Sequence, residues 1–235
     1  MENKITILVD GVEKEYPQGI TFEEIAKEAQ KNYDAPIVLA VADCKLYELH
    51  KKCKDKSKVR FETLKGTSGH KAYKRSACLL MIKSIYDVVG REKIGRIKVE
   101  FSIGKGYYCS YRGDFQMTEE LLQKIKERMR EIVDADVPIR KQSCPLDDVI
   151  KRCEDYGMTD KVRLFRYRRG SKINMYSLSG FEDYYYGYML PSAGYIQWFD
   201  LYPYDEGFII QLPTRKNPEC VPPFVAMPKL FATMK

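Results

Sequence analysis

The chain opens with two short runs of apolar and polar residues that predict a β-hairpin. Residues 5–9 (ITILV) and 12–16 (VEKEY) flank the dipeptide Asp-Gly at 10–11. Type I′ hairpin turns need positive φ at both central positions, which Asp and Gly tolerate. Two further apolar segments, at 36–41 and 58–62, predict additional strands.

A helix is predicted between these strands. Thr21 stands three residues before Glu24, which is the spacing of a capping box. The apolar residues that share one face of this helix are Phe22, Ile25, Ala26 and Ala29. The order ββαβ…β predicts a small sheet curled over one helix.

The rest of the chain has the pattern of a larger α+β unit. Apolar residues at helical spacing predict a long helix over 71–88, and alternation predicts a strand over 97–103 with another after the following turn. Thr118 is a predicted N-cap, and Pro145 suits the first turn of a helix over 146–156. The strands predicted after these helices cover 162–167, 173–177, 194–201 and 208–212.

Composition places the chain among ordinary globular proteins. It has 235 residues, 44% hydrophobic and 31% charged, so disordered, collagen-like and coiled-coil classes are excluded. A chain of this size buries enough surface to fold without metal or disulfides. No apolar run reaches the roughly 18 residues of a membrane span, and the charged start is unlike a signal peptide. The seven scattered cysteines predict reduced thiols and a cytoplasmic location.

The net charge of +7 belongs to one part of the chain. Residues 1–65 hold 12 basic and 12 acidic side chains, whereas residues 66–235 hold 28 and 21. A predicted basic strand contains no acidic residue, and its candidate nucleic-acid-binding residues are Lys161, Arg163, Arg166, Arg168, Arg169 and Lys172. Guanidinium groups beside a ring suit RNA phosphates and bases. The alternative is a solvated edge strand whose charges deter aggregation.

The first unit resembles a TGS domain. The likeness covers residues 1–64 and consists of the order of elements together with VDG at 9–11 and Y-P-x-G-x-T at 16–21. TGS domains are ubiquitin-like β-grasp modules found in threonyl-tRNA synthetases, some GTPases and stringent-response synthetases. The resemblance implies a β-grasp fold and depends on no catalytic residue.

Three stretches of the second unit, residues 65–218, match motifs of one family in the family's order. YKRSACLL at 73–80 matches I-x-H-S-x-x-H-L. GYYCSY at 106–111 and TEELLQKI at 118–125 match G-F-Y-Y-D-F and T-E-E-D-L-x-x-I-E. FEDYYYGYM at 181–189 matches F-x-D-L-C-x-G-P-H. The unit therefore resembles the second domain of threonyl-tRNA synthetases, shared with alanyl-tRNA synthetases and their editing relatives, which implies an α+β fold.

In that family the motifs build a metal-supported pocket that hydrolyses mischarged aminoacyl-tRNA. The four ligand positions are here Arg75, Leu79, Tyr185 and Met189. Arginine and leucine offer no lone pair, a phenol would have to lose its proton, and a thioether suits Cu(I) better than Zn²⁺. The family's Asp is also replaced, by Ser110. We therefore expect no metal and no catalytic residue at this site.

Other residues suggest no substitute for the lost ligands. The two histidines, His50 and His70, are expected to be exposed loop residues, and Cys78 and Cys109 to be small buried hydrophobes. The ten aromatic residues between 181 and 204 either fill the former cleft, which we favour, or line a pocket for a nucleobase or aminoacyl end. A hydrolase with a relocated site is the least favoured interpretation.

The order of the two units resembles the amino-terminal half of bacterial uridine-kinase-like proteins, in which a P-loop kinase of the uridine kinase/phosphoribulokinase family follows. Residues 219–235 are expected to be a linker toward such a domain. ATP and Mg²⁺ are implied only for that domain, since this chain has no P-loop. The sequence thus suggests a non-catalytic binding or regulatory module of a nucleoside kinase, with tRNA or a nucleotide as ligand and no membrane contact. An RNA-binding protein that uses the basic strand is the alternative.

Overall fold

The computed structural model describes residues 4–235, and its first unit is a five-stranded sheet with one helix packed on it. Its elements are β1 Lys4–Val9, β2 Val12–Pro17, α1 Phe22–Ala29, β3 Ile37–Ala42, β4 Lys45–Glu48 and β5 Lys58–Thr63. The strands lie in the order β2-β1-β5-β3-β4, with β1 and β5 parallel and all other neighbours antiparallel. The predicted sheet over one helix is confirmed, and β4 is an additional strand.

Local signals account for the hairpin and for α1. Asp10 and Gly11 have φ angles of 49° and 85°, as the turn requires. The hydroxyl of Thr21 accepts from the N–H of Glu24, and the Glu24 carboxylate accepts from the N–H of Thr21 at 2.8 Å. The predicted face of α1 is buried in the core of this sheet.

A long helix, α2 at Thr67–Val89, is central to the molecule. It packs against β3 and β5 of the first unit and also against the elements that follow, so that most of its side chains are buried. Gly69 permits this close packing, because a Cβ at that position would lie 2.2 Å from the carbonyl oxygen of Thr63. The helix begins four residues earlier than the predicted 71–88 span.

The remaining elements form two antiparallel sheets with helices packed around them. They are β6 Ile94–Ile103, β7 Gly106–Gly113, α3 Glu119–Asp134, β8 Ile139–Pro145, α4 Leu146–Asp155, α5 Thr159–Arg166, β9 Lys172–Leu178, β10 Phe181–Tyr184, β11 Asp200–Tyr204, β12 Gly207–Gln211 and α6 Pro228–Met234. One sheet has the order β11-β12-β7-β6 and the other β10-β9-β8. The fold is α+β, as expected. Within residues 4–235 no helix is both long and apolar enough to cross a membrane.

The prediction of a basic strand over 162–167 is wrong, because these residues belong mainly to α5. Val162 and Phe165 are buried and stand three residues apart, which is the spacing of a helical face. Leu164, which a strand would have placed on a packed face, is 58% exposed.

The strand predicted over 194–201 is also largely wrong. A 3₁₀ turn occupies Ala193–Tyr195, and β11 begins only at Asp200. Asp136 stabilises the turn, since its Oδ1 accepts from the N–H of Gly194 at 3.0 Å and from the hydroxyl of Ser192 at 2.5 Å. A carboxylate from a distant segment, and not a local pattern, determines this conformation.

Part of the segment at 219–235 folds back onto the second unit. Phe231 of α6 is buried beside Ile103, Tyr108 and Ile209, on one face of the four-stranded sheet. The ring of Phe224 stacks on another ring of that sheet at a centroid distance of 5.0 Å. The expected linker therefore includes a helix with tertiary contacts, while the boundaries 1–64, 65–218 and 219–235 stay predictions.

One buried carboxylate joins the two units. Glu48, the last residue of β4, is 2% exposed. Its Oε1 accepts from the N–H of Met189 at 3.0 Å and lies 2.6 Å from the hydroxyl of Tyr176. Its Oε2 accepts from the ammonium of Lys141 at 3.0 Å. All three partners belong to the second unit, so this carboxylate positions the first sheet against it.

We expect Glu48→Gln to lower the free energy of unfolding by about 2 kcal/mol, since Lys141 loses its charged partner in a half-buried place. The matched control is Glu13→Gln on the exposed part of β2, for which we expect a change within about 0.5 kcal/mol. Urea unfolding followed by circular dichroism measures both. Equal effects of the two substitutions would contradict the assigned role of Glu48.

Candidate functional site

The helix and the loop that carry the four positions at which the resemblance places metal ligands are in direct contact. These positions are Arg75 and Leu79 on α2, and Tyr185 and Met189 in the loop after β10. Arg75 donates from Nε and Nη2 to the carbonyl oxygen of Tyr188, at 3.0 and 2.8 Å. Ser76 accepts on Oγ from the N–H of Leu190 at 2.9 Å. Hydrogen bonds to the backbone therefore hold the loop against α2.

Gly187 makes room for this arrangement. Its φ is 120°, in the region that side chains avoid, and a Cβ there would lie 2.8 Å from Cζ of Arg75. Its carbonyl oxygen lies 2.7 Å from the hydroxyl of Tyr176, which also contacts Glu48. The loop is thus held from one side by Arg75 and from the other by Tyr176.

The residues at the four positions do not fit a zinc site. The guanidinium of Arg75 stays protonated and has no lone pair, and Leu79 is completely buried without a donor atom. Burial raises the pKa of the Tyr185 phenol well above its usual value, so the phenol keeps its proton. The thioether of Met189 is a neutral, soft ligand. Over residues 4–235 no group of three or more His, Cys, Asp and Glu is placed to hold a metal ion.

The contacts of Tyr185 and Ser110 are unlike those expected of residues in a hydrolytic metal site. The hydroxyl of Tyr185 is buried and has no hydrogen-bond partner among the described residues. Ser110, at the position of the family's Asp, donates to Oε1 of Glu100 at 2.6 Å and is not among the residues that line the cavity beside Arg75. Neither residue is arranged to activate a water molecule.

A cavity of about 430 Å³ lies beside Arg75, within the size range of small-molecule sites. Among the side chains that the structure describes, its cationic lining consists of Lys71, Lys74, Arg75, Lys98 and Lys161, and the one carboxylate is that of Asp183. Its aromatic lining consists of Tyr107, Tyr184 and Tyr185. Positive charge and aromatic surface therefore meet where the resemblance places a metal.

The residues of the predicted basic strand are distributed over α5, the loop after it and the first position of β9. Lys161 pairs with Asp183, and Arg168 donates to the hydroxyl of Tyr184 at 2.9 Å. The other four residues of the set, Arg163, Arg166, Arg169 and Lys172, are exposed. A strand would have placed the ring of Phe165 beside Arg163. In the structure this ring is buried, because Phe165 lies on the packed face of α5. The exposed ring in this region is that of Tyr167, at 89%.

The aromatic cluster between 181 and 204 is divided between the two expected roles. Phe181 and Phe199 are buried and belong to the core. Tyr184 and Tyr188 line a second cavity of about 340 Å³ together with Lys141. Some of the rings thus fill the interior and others line cavities.

The histidines differ from expectation, whereas the cysteines agree with it. His50 and His70 are half-buried, and His70 lies in α2 and not in a loop, because that helix begins before the polar segment ends. Burial lowers the pKa of His70 to about 4, which keeps the ring neutral. Cys78 and Cys109 are buried, and burial raises the pKa of Cys78 to about 12, as for an unreactive thiol.

Sequence reasoning identified Arg75 but missed its neighbours Lys71 and Lys74 on α2, and it missed the buried carboxylate of Glu48. Lys71, Lys74 and Arg75 stand at i, i+3 and i+4, which places them on one helical face, and this spacing is visible in the sequence. Glu48 lies between the apolar pair Leu46-Tyr47 and Leu49, a weak sign of burial. No sequence pattern near Lys141, Tyr176 or Met189 indicates that they contact Glu48.

No protein-family model matches the chain. The chain is 28% identical over 189 residues to the threonine–tRNA ligase of Carboxydothermus hydrogenoformans, 27% over 195 to that of Thermotoga maritima, and 26% over 200 to that of Geobacter sp. strain M21. These alignments cover 80%, 83% and 85% of the chain, but only 29%, 30% and 31% of the relatives. The chain thus contains a region similar to threonyl-tRNA synthetases and spans about three tenths of the length of these curated relatives.

Two Tyr→Phe substitutions test the hydrogen bonding around the loop. Tyr185→Phe removes an unpartnered hydroxyl, so we expect the free energy of unfolding to stay equal or to rise by about 1 kcal/mol. Tyr176→Phe removes the hydroxyl that lies between Glu48 and the carbonyl of Gly187, so we expect a loss of about 1–2 kcal/mol. Chemical unfolding of both variants and the parent measures the contrast. A larger loss for Tyr185→Phe would contradict the described contacts.

Proposed function

We propose that this chain is a non-catalytic binding or regulatory module, which retains the frame of a threonyl-tRNA synthetase second domain without its metal chemistry. The observation that carries the proposal is the set of side chains at the ligand positions, Arg75, Leu79, Tyr185 and Met189, none of which suits Zn²⁺. Similarity to threonine–tRNA ligases over 80% of the chain supports the frame. The adjacent cavity supports binding of a ligand.

We further assign residues 1–64 to the TGS domains and residues 65–218 to the degenerate editing-like domains. The order β2-β1-β5-β3-β4 with one helix against the sheet supports the first assignment. The contact of the Arg75 helix with the loop at 185–189 supports the second. Because Glu48 joins the two units, we treat them as one module.

The order of these two units also favours a nucleoside kinase of the uridine kinase type as the parent protein. ATP and Mg²⁺ would bind in its P-loop domain, which is not part of these 235 residues. Residues 219–235 would connect the module to that domain. The odd number of cysteines, scattered without CxxC spacing, favours a reducing compartment, and we place the protein in the cytoplasm.

Zinc content and hydrolysis of mischarged aminoacyl-tRNA test the main proposal. After exposure to Zn²⁺ and dialysis, we expect far less than one zinc ion per chain. We expect mischarged aminoacyl-tRNA to be hydrolysed no faster with the chain than without it. The matched comparison restores the ligand types with Arg75→His, Leu79→His, Tyr185→Cys and Met189→His, for which we expect a gain of zinc. Stoichiometric zinc in the unmodified chain, or hydrolysis lost on chelation, would contradict the proposal.

RNA binding is the second candidate function, and exposed side chains after α5 favour it. Arg169 and Lys172 are exposed, and the rings of Tyr167 and Tyr186 are 89% and 85% exposed. Cations bind phosphates and exposed rings stack on bases, which is how single strands are bound without a sequence code. The threonine–tRNA ligases among the relatives suggest a tRNA as this RNA.

The salt dependence of tRNA affinity tests this second candidate. We expect the logarithm of the tRNA binding constant to fall with the logarithm of the salt concentration, with a slope of about one per phosphate contact. In the double variant Arg169→Gln/Lys172→Gln we expect this slope to be smaller by about two. The control, Lys31→Gln/Lys124→Gln, makes the same change of charge at exposed residues elsewhere and is expected to leave the slope unchanged. Filter binding from low to physiological salt measures it. Affinity that is independent of salt would contradict RNA binding.

A further inference from the structure

One wall of the 430 Å³ cavity consists of cations without carboxylate partners. Lys71, Lys74 and Arg75 form this wall, which we call the cationic face, and they share one side of α2. The other two cations of the cavity are already neutralised, since Lys98 pairs with Glu100 and Lys161 with Asp183. Among the described residues, the cationic face has no ion pair with Asp or Glu. Its positive charge is therefore available to a ligand.

The cationic face is also partly removed from water. Lys74 and Arg75 are half-buried, and burial lowers the pKa of each. The ammonium of Lys74 lies 5.2 Å from the centre of the Tyr107 ring. This cation–π contact stabilises the charge less than an ion pair with an anion would. Arg75 uses Nε and Nη2 on the carbonyl of Tyr188, and among the described residues its guanidinium makes no further hydrogen bond. An anion that enters this cavity would relieve the desolvation of both side chains.

Another part of the lining, which we call the tyrosine wall, is aromatic and apolar. Tyr107 and Tyr185 provide rings, and Ile82 and Val99 provide aliphatic surface. Such a wall suits a flat, weakly polar group, because stacking and apolar burial need no particular pattern of donors. A small carboxylate would satisfy the cationic face and leave this wall uncovered.

We infer that the cavity binds a free nucleotide, with its phosphate at Lys71, Lys74 and Arg75 and its base against the tyrosine wall. The inference rests on the proposed function, because it names the ligand class of the binding module. A phosphate presents several acceptor oxygens, which matches the ammonium groups of Lys71 and Lys74 together with the guanidinium N–H groups that Arg75 does not use on Tyr188. The volume of the cavity is within the range of sites for ligands of this size.

Calorimetric titration of the 235-residue chain tests the inference with probes that separate phosphate from base. The probes are AMP, UMP, adenosine, uridine, inorganic phosphate and a short RNA. We expect each monophosphate to bind at least about tenfold more tightly than its nucleoside, as for a charge-assisted contact. We expect inorganic phosphate to bind more weakly than AMP and UMP, because it lacks the base.

Charge-removing variants locate the site. Lys74→Gln is expected to weaken monophosphate binding about tenfold and to leave nucleoside binding unchanged. Lys71→Gln, a change at an exposed residue of the same wall, is expected to have a smaller effect in the same direction. Lys124→Gln on α3 removes the same charge from an exposed helical residue outside the cavity and is expected to change nothing. Unfolding midpoints confirm that each variant is folded.

Several results would overturn the inference. They are equal affinity for nucleotide and nucleoside, no binding of any mononucleotide, equal loss in Lys74→Gln and Lys124→Gln, and tight binding of the short RNA when AMP and UMP do not bind. None of these results would demonstrate hydrolytic activity, so the proposal that the module is non-catalytic would be unaffected. Hydrolysis of mischarged aminoacyl-tRNA would instead contradict the proposed function, whatever the nucleotides do.

Discussion

The buried carboxylate of Glu48 is the interaction on which the site depends, because three segments distant in sequence meet at it. Its partners are the N–H of Met189, the hydroxyl of Tyr176 and the ammonium of Lys141. A charge so far from water is strongly destabilising unless its oxygens are bonded, so the partners have to be in place together. The position of the loop at 185–189 therefore depends on the first unit as well as on α2.

Hydrogen bonds to the backbone hold this loop where the resemblance implies that metal ligands would. Arg75 binds the carbonyl of Tyr188, and Ser76 binds the N–H of Leu190. A metal fixes a loop through particular side chains, which cannot then vary. Bonds to the backbone make no such demand, so Tyr185 and Met189 are compatible with the same loop position. The frame can thus persist after its ligands are gone.

The features predictable from the sequence are those whose signals lie within a few residues. The Asp-Gly turn at 10–11 and the Thr21 capping box were predictable for this reason. The segment at 162–166 was not, because its apolar residues fit both a strand and a helix until packing buries Val162 and Phe165 and leaves Leu164 exposed. The role of Glu48 was not predictable either, since its partners lie 93, 128 and 141 residues away.

Arg75 and the metal that the resemblance implies would both bring positive charge to the site, but they differ in chemistry. A bound Zn²⁺ contributes positive charge and also an open coordination position that lowers the pKa of water. The guanidinium contributes positive charge at the first ligand position, but it has no open position and accepts no lone pair. Lys71 and Lys74 line the same cavity as Arg75, so positive charge is present there without the open coordination position that a bound metal would supply.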